Sequence, residues 1–320
     1  MKRLIILAII AAPLFVSCSD DDNCPSGNDV PTATLITPDL DIKLSSTQDP
    51  MTGILEAYPC QDGSSIYFGN YVENKLTPFP GYYRLRDGDI YGKSNRFVTL
   101  PVGVYNMIYW GTAKPEMPIY SSPAISDPQL TLGADLSKQY FSLRKVTADT
   151  TFYPTFDFVY ALKGIDIGVE ELSASMQRVV AGLQVIVKNK DNSPLSTTIS
   201  NMEIRIGSIA EKINVYTAEP ENRTCTVEFP LTVSADGTQM SNDAVMLFPS
   251  GSNPMLTLLI NLKNGNVKTF RQALDGPLKA NNHLILTLTL GDIFSDQNSG
   301  TFTVDSWQEE HQTIDVPTLE

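Results

Sequence analysis

Apolar and polar residues alternate over long stretches of this chain. Leu284, Leu286, Leu288 and Leu290 fall on one side of a segment whose other side carries Ile285, Thr287 and Thr289. Val179, Ala181, Leu183, Val185 and Val187 do the same, with Arg178, Gln184 and Lys188 on the opposite side. Ile204 and Ile206 flank Arg205. A period of two marks a strand with one face in a core. Met255 to Leu262 is nearly continuous in apolar residues, which predicts a strand buried on both faces. Val102 to Trp110 predicts another strand, rich in aromatics. Asp62-Gly63, Asp87-Gly88, Asp236-Gly237 and Asn264-Gly265 are hairpin-type dipeptides between such runs, and Asn264-Gly265 predicts a hairpin. Helical spacing is confined to Leu172, Met176 and Val180, where the alternation from Val179 competes, so one or two turns at most are expected. The chain therefore reads as mainly β, built of sandwiches or barrels, with no tandem repeat.

The first 17 residues follow another pattern. Lys2 and Arg3 precede an apolar run from Leu4 to Val16. That run is shorter than the ~20 residues a spanning helix needs, so it predicts a secretory signal. Phe15-Val16-Ser17-Cys18 reads as a lipobox, with Phe15 where leucine is commoner. Residues 1–17 are thus expected to be a lipoprotein signal peptide, with cleavage before Cys18 and lipidation of its thiol. Ser19-Asp20-Asp21-Asp22-Asn23 follows; its carboxylates repel one another and predict a solvated tether over residues 18–32. A serine and acidic run directly after a lipidated cysteine also resembles the surface-export signal of lipoproteins in the Bacteroidota. Several acyl chains on one cysteine hold firmly, so the expected location is the outer membrane, lipid-anchored and cell-surface exposed.

About 300 residues remain after the leader, which suggests two domains. The segment 149–163 is aromatic-rich, Gly164-Ile165-Asp166 follows, and the long alternating strand starts near Arg178. The junction is therefore read near residue 168, giving one β-sandwich over 33–168 and a second over 169–320. The formal net charge of −13 gives no reason to seek nucleic acid. No second apolar stretch is long enough to cross a bilayer, which leaves Cys18 as the expected membrane attachment. Once Cys18 is lipidated, Cys24, Cys60 and Cys225 allow at most one intramolecular disulfide. Cys24 and Cys60, both early in the chain, are the expected pair, although spacing alone does not settle it. Cys225 reads as a buried small hydrophobe.

Catalytic patterns are missing. His283 and His311 are the two histidines, both read as surface residues, so three histidines cannot hold zinc within one chain. There is no Gly-x-Ser-x-Gly elbow and no phosphate-binding glycine loop. Asp87-Gly88-Asp89 and Asp39-Leu40-Asp41 offer carboxylates, but neither completes a twelve-residue calcium loop and both read as turns. No catalytic residue, metal or cofactor is therefore expected. Tyr105, Tyr109 and Trp110 lie on one strand after Tyr82, Tyr83 and Tyr91. Exposed, that row would stack on sugars; buried, it is core, which is the favoured reading.

Taken in order, several short motifs resemble a family. The lipobox at Cys18, the acidic Asp20-Asp21-Asp22, Cys24-Pro25, Pro101-Val102-Gly103-Val104-Tyr105 running into Trp110-Gly111, Arg178 before an alternating strand, Pro277-Leu278-Lys279-Ala280-Asn281 before Leu284–Leu290, and Phe302 to Trp307 are arranged as in the fimbrial anchor lipoproteins of the Bacteroidales. These are the FimB-like members of the fimbrillin superfamily. Residues 31–80 carry no pattern of that family. The resemblance implies two tandem transthyretin-like β-sandwiches and a non-enzymatic role anchoring or capping a fimbria at the outer membrane. It also implies fimbrillin-type subunits as partners, joined by β-strand complementation, with 301–319 the segment expected to close the sheet or exchange. Polymerising fimbrillins are typically cut after an early basic residue, usually arginine, to release the lipidated piece. Between Cys18 and Arg84 this chain has no arginine and two lysines, Lys43 and Lys75, so an arginine-directed release is ruled out there and a lysine-directed one stays open. The rival is a glycan-binding surface lipoprotein of a polysaccharide-uptake system, which needs the aromatic row exposed.

Overall fold

The structure, a computed structural model, describes residues 34–113, 125–146, 150–290, 302–305 and 309–316. Strands dominate them, and the mainly β expectation holds. A single short 3₁₀ turn, Leu136–Lys138, is the one helical element among the described residues, capped by Asp135, whose side chain accepts from the Ser137 amide.

Seven strands form the first large sheet. Its order runs Leu40–Leu44, Leu172–Arg178, Phe158–Ile167, Gly103–Thr112, Gly53–Gln61, Gly81–Arg86 and Asp89–Ile90. The central strand, Gly103–Thr112, pairs antiparallel with both neighbours, so Trp110 stands between Tyr160 and Glu56. One face closes over a core that includes Ile42, Leu55, Tyr83, Leu85, Tyr109 and Met176. The other face sends Tyr58, Cys60, Ile108, Trp110 and Phe158 into a second core.

That second core also takes the inward residues of an eleven-stranded sheet. Along Ala181–Asn189, Leu183, Val185 and Val187 are fully buried and Gln184, Ile186 and Lys188 are less so, as the alternation predicts. The Asn264-Gly265 hairpin joins Met255–Leu262 to Val267–Ala273. Asp87-Gly88, both at positive φ, turns Gly81–Arg86 into Asp89–Ile90, the left-handed pair a tight hairpin requires.

Three expectations need correction. Leu172–Arg178 is a strand and not a helical turn, because partners on both sides, Phe158–Ile167 and Leu40–Leu44, override the local spacing. Met255–Leu262 is half-buried and not enclosed: Leu256, Leu258 and Ile260 point into the second core while Met255 is 45% exposed, since that core takes one face of the strand. His283 is half-buried, its ring lying against Gly182 of the adjacent strand, where an added Cβ would meet the ring at 3.0 Å. Cys225, 4% exposed, is the buried small residue expected.

Candidate functional site

The chain enters the described fold along two short ladders. Leu35–Ile36 pairs antiparallel with Leu100–Pro101, and Thr37 and Thr99 join hydroxyls at 2.8 Å. Leu40–Leu44 then runs parallel to Leu172–Met176 in unbroken register. Its far side is held where the Met51 amide donates to the Ile42 carbonyl at 3.0 Å. The pattern Leu40-Asp41-Ile42-Lys43-Leu44 explains the seating. Ile42 is 2% exposed, Leu40 and Leu44 pack beside it, and Asp41 and Lys43 face out, paired at 3.1 Å. Asp41, read from sequence as part of a turn, is therefore the outward residue of a strand. The alternation across 40–44 was the available signal; its two flanking aspartates obscured it.

The other end of the chain closes the eleven-stranded sheet. Glu309–Val316 lies parallel to His283–Leu290, and Phe302–Asp305 lies antiparallel on its outer side, at the margin. Ile314, 8% exposed, enters the second core. The C-terminal segment thus sits on its own sheet.

The aromatic row is core. Tyr105, Tyr109 and Trp110 are 7%, 0% and 2% exposed. Trp110 packs on Phe141, Phe158 and Tyr160, and its Nε1–H donates to the Val215 carbonyl at 2.8 Å. Burial pushes the Tyr109 phenol upward, and its hydroxyl finds no hydrogen-bond partner. The platform that a sugar-stacking role required is absent at these three residues.

Other polar groups near the cores are structural. Arg178 and Asp157 form a buried two-point ion pair, Nε to Oδ1 at 2.8 Å and an Nη2 to Oδ2 at 3.1 Å. Tyr58 donates its hydroxyl to Glu56, whose carboxyl is raised chiefly by burial. Cys60 and Cys225 are buried free thiols, pushed by desolvation to about 12 and about 11, far from a reactive thiolate. Cys24, the expected partner of Cys60, lies outside the described residues, as do Cys18, Ser19, Asp20, Asp21 and Asp22 and the His311 side chain. Among the described residues no three His, Cys, Asp or Glu side chains gather as metal ligands. No described helix is long and apolar enough to cross a membrane.

Comparison with known proteins follows the same line. The model of the family described as Mfa2, fimbrillin-A associated anchor proteins Mfa1 and Mfa2, matches residues 21–313. Among curated proteins none matches. Similar solved structures include the fimbrial anchor protein Mfa2 from Porphyromonas gingivalis, at 13% identity and a TM-score of 0.45, covering 74% of this chain and 81% of that one. A candidate adhesin from Bacteroides ovatus aligns at 11% identity and a TM-score of 0.48, covering 82% of this chain and 88% of its own. A candidate cell adhesion protein from Bacteroides uniformis aligns at 12% identity and a TM-score of 0.45, covering 87% and 96%.

Proposed function

The chain belongs to the Mfa2 family of fimbrillin-A associated anchor proteins, and from that premise we propose that it is a non-enzymatic surface lipoprotein that holds a fimbria to the outer membrane. The carrying observation is the in-chain seating of Leu40–Leu44, with Ile42 in the core. A stalk subunit must shed its lipidated end, whereas an anchor must keep it. Here the segment leading from Cys18 runs directly into a strand that its own sheet retains. Between Cys18 and Arg84 no arginine is present to release it, and Lys43 lies within the paired strand. The sixteen residue-to-residue steps from Cys18 to Thr34 set an upper limit of about 55 Å on the tether's reach.

In this reading the seven-stranded sheet, which receives the chain from the tether and includes Leu172–Arg178, carries the lipid, and the eleven-stranded sheet meets the next subunit. Phe302–Asp305 and Glu309–Val316 are the elements that a neighbour's strand replaces or extends. Backbone hydrogen bonds then supply strength, and alternate side chains supply selectivity. The partners are fimbrillin-type subunits. With Tyr105, Tyr109 and Trp110 buried, the uptake-system rival lacks the exposed aromatic row on which it was based.

The test compares cells carrying the native protein with cells carrying Cys18→Ala. Fimbriae are expected to move from the cell pellet to the medium, and on-cell cross-linking of the native protein is expected to recover fimbrillin-type subunits. Fimbriae that stay on Cys18→Ala cells overturn the anchor. So does cross-linking that recovers an outer-membrane transporter and no fimbrial subunit.

A further inference from the structure

The strand Gly81–Arg86 turns Tyr83 and Leu85 into the first core, each 1% exposed. Its alternate residues, Tyr82, Arg84 and Arg86, therefore share the opposite face with their cross-strand partners, where Glu56 stands opposite Tyr82. Among the described residues nothing covers that face fully at this end of the sheet: Arg86 is exposed and Tyr82 and Arg84 are half-buried. The guanidiniums of Arg84 and Arg86 both lie over the Tyr91 ring, at 4.9 and 4.6 Å from its centre. Next to them Arg96, bridged to Tyr82, lies over Phe79 at 5.1 Å and donates to the Pro80 carbonyl at 2.9 Å. Phe79 is 55% exposed. Residues 79–97 carry four cationic side chains against two acidic ones, in a chain of net charge −13.

We propose that this face binds an acidic polysaccharide, a glycan chain bearing carboxylate groups. Guanidinium forks match carboxylates two bonds at a time. Resting on aromatic rings, they lose little freedom when the ligand arrives. Exposed ring surface at Phe79 takes the apolar face of a sugar ring. Glu56, half-buried opposite Tyr82, has lone pairs beyond the one that takes the Tyr58 hydroxyl, and a sugar hydroxyl can donate to them. A glycan carries such hydroxyls on every ring, whereas a carboxylate polymer without hydroxyls meets Glu56 as repulsion, which favours a glycan.

The probe is polygalacturonate, titrated by calorimetry into the full-length lipidated protein in detergent at physiological salt. Its methyl-esterified form serves as the neutral control, and poly-L-glutamate as a carboxylate polymer without sugars. Polygalacturonate is expected to bind, and each control to bind at least tenfold more weakly. The double variant R84Q/R86Q is expected to lose tenfold or more with an unchanged thermal transition. R84K/R86K, which keeps the charge and loses the forks, is expected to fall between. The proposal is overturned by no binding, by poly-L-glutamate or the ester binding as well as polygalacturonate, or by R84Q/R86Q retaining full affinity. A purified protein needs no fimbria for this result, so failure here leaves the anchor reading standing.

Discussion

Replacing Arg178 with methionine is expected to weaken the fold more than any surface change. The Asp157–Arg178 pair is closed at both ends, 2.8 and 3.1 Å, with side chains 8% and 7% exposed. It sits where the chain leaves the seven-stranded sheet: Arg178 is in register with Val159, and the Val179 amide donates to Phe158 at 3.1 Å. Arg178→Met leaves the Asp157 carboxylate buried without its cation. Breaking such a pair from one side costs about 3–5 kcal/mol, whereas replacing both partners with apolar residues is often nearly neutral. Against a typical stability of about 5–15 kcal/mol, the single change removes roughly a fifth or more. The assay is urea unfolding at pH 7, read as a lower midpoint with unchanged slope. The double variant Asp157→Leu/Arg178→Met is expected to cost less than Arg178→Met alone, giving a clear coupling energy. A loss below about 1 kcal/mol for Arg178→Met, or simple additivity in the cycle, would refute the reasoning.

Gly53 has φ +148°, and a Cβ there would stand 1.9 Å from the Thr112 carbonyl oxygen, so Gly53→Ala is expected to cost at least ~3 kcal/mol from overlap and strain together. Gly63→Ala, with φ +61° and open space around it, is the control and should cost about 1 kcal/mol in the same unfolding assay. Glu56 is raised above its ordinary 4.5, chiefly by burial, so the folded state binds its proton more tightly than the unfolded state does. Its contribution favours folding below 4.5 and turns into a penalty as pH rises from 4.5 through the higher folded value. Glu56→Gln should therefore gain stability over wild type progressively across that window and gain none below it; parallel pH profiles would disprove this. In limited digestion with a lysine-specific protease, Lys75, exposed at the turn end of a short two-stranded ladder beside the left-handed Glu73 and Asn74, should be cut well before Lys43, which is held within the seven-stranded sheet. N-terminal sequencing that finds early fragments starting at Leu44 would show that the strand is not retained.

Local patterning made part of this architecture readable. The hairpin at Asn264-Gly265 and the strands around Val185, Ile204 and Leu286 declare themselves through alternation and turn chemistry, which act within a few residues. The order of the large sheet does not. Ala181–Asn189 lies parallel to His283–Leu290, about a hundred residues away, and that strand lies parallel to Glu309–Val316. Parallel partners share no turn, so nothing local records their register. Leu40–Leu44 was hidden for another reason: aspartates at 39 and 41 supply turn-like chemistry, and the alternation of Leu40, Ile42 and Leu44 acquires meaning only beside Leu172 and Met176. The arginine face was half legible. Arg84 and Arg86 show the spacing of one strand face, but Tyr91 reaches them only through the Asp87-Gly88 turn.

The two chain ends differ in what holds them, and the difference bears on the proposed anchor. Tension from a lipid at Cys18 would enter at Thr34 and run along Leu35–Ile36 and Leu40–Leu44, in the direction of both strands. Interstrand hydrogen bonds lie across that direction, so the load shears a whole ladder instead of opening it bond by bond. Withdrawing the second strand also drags Ile42 from a fully formed core and strips Leu40 and Leu44 from its rim, at up to about 1.5–3 kcal/mol for each side chain fully withdrawn. At the opposite end Phe302–Asp305 has one neighbour, Glu309–Val316, and stands at the sheet margin, where a strand can peel from its end. A subunit that must keep its tether while opening to a neighbour needs this asymmetry: a sheared, core-seated strand on the membrane side and a marginal pair on the other.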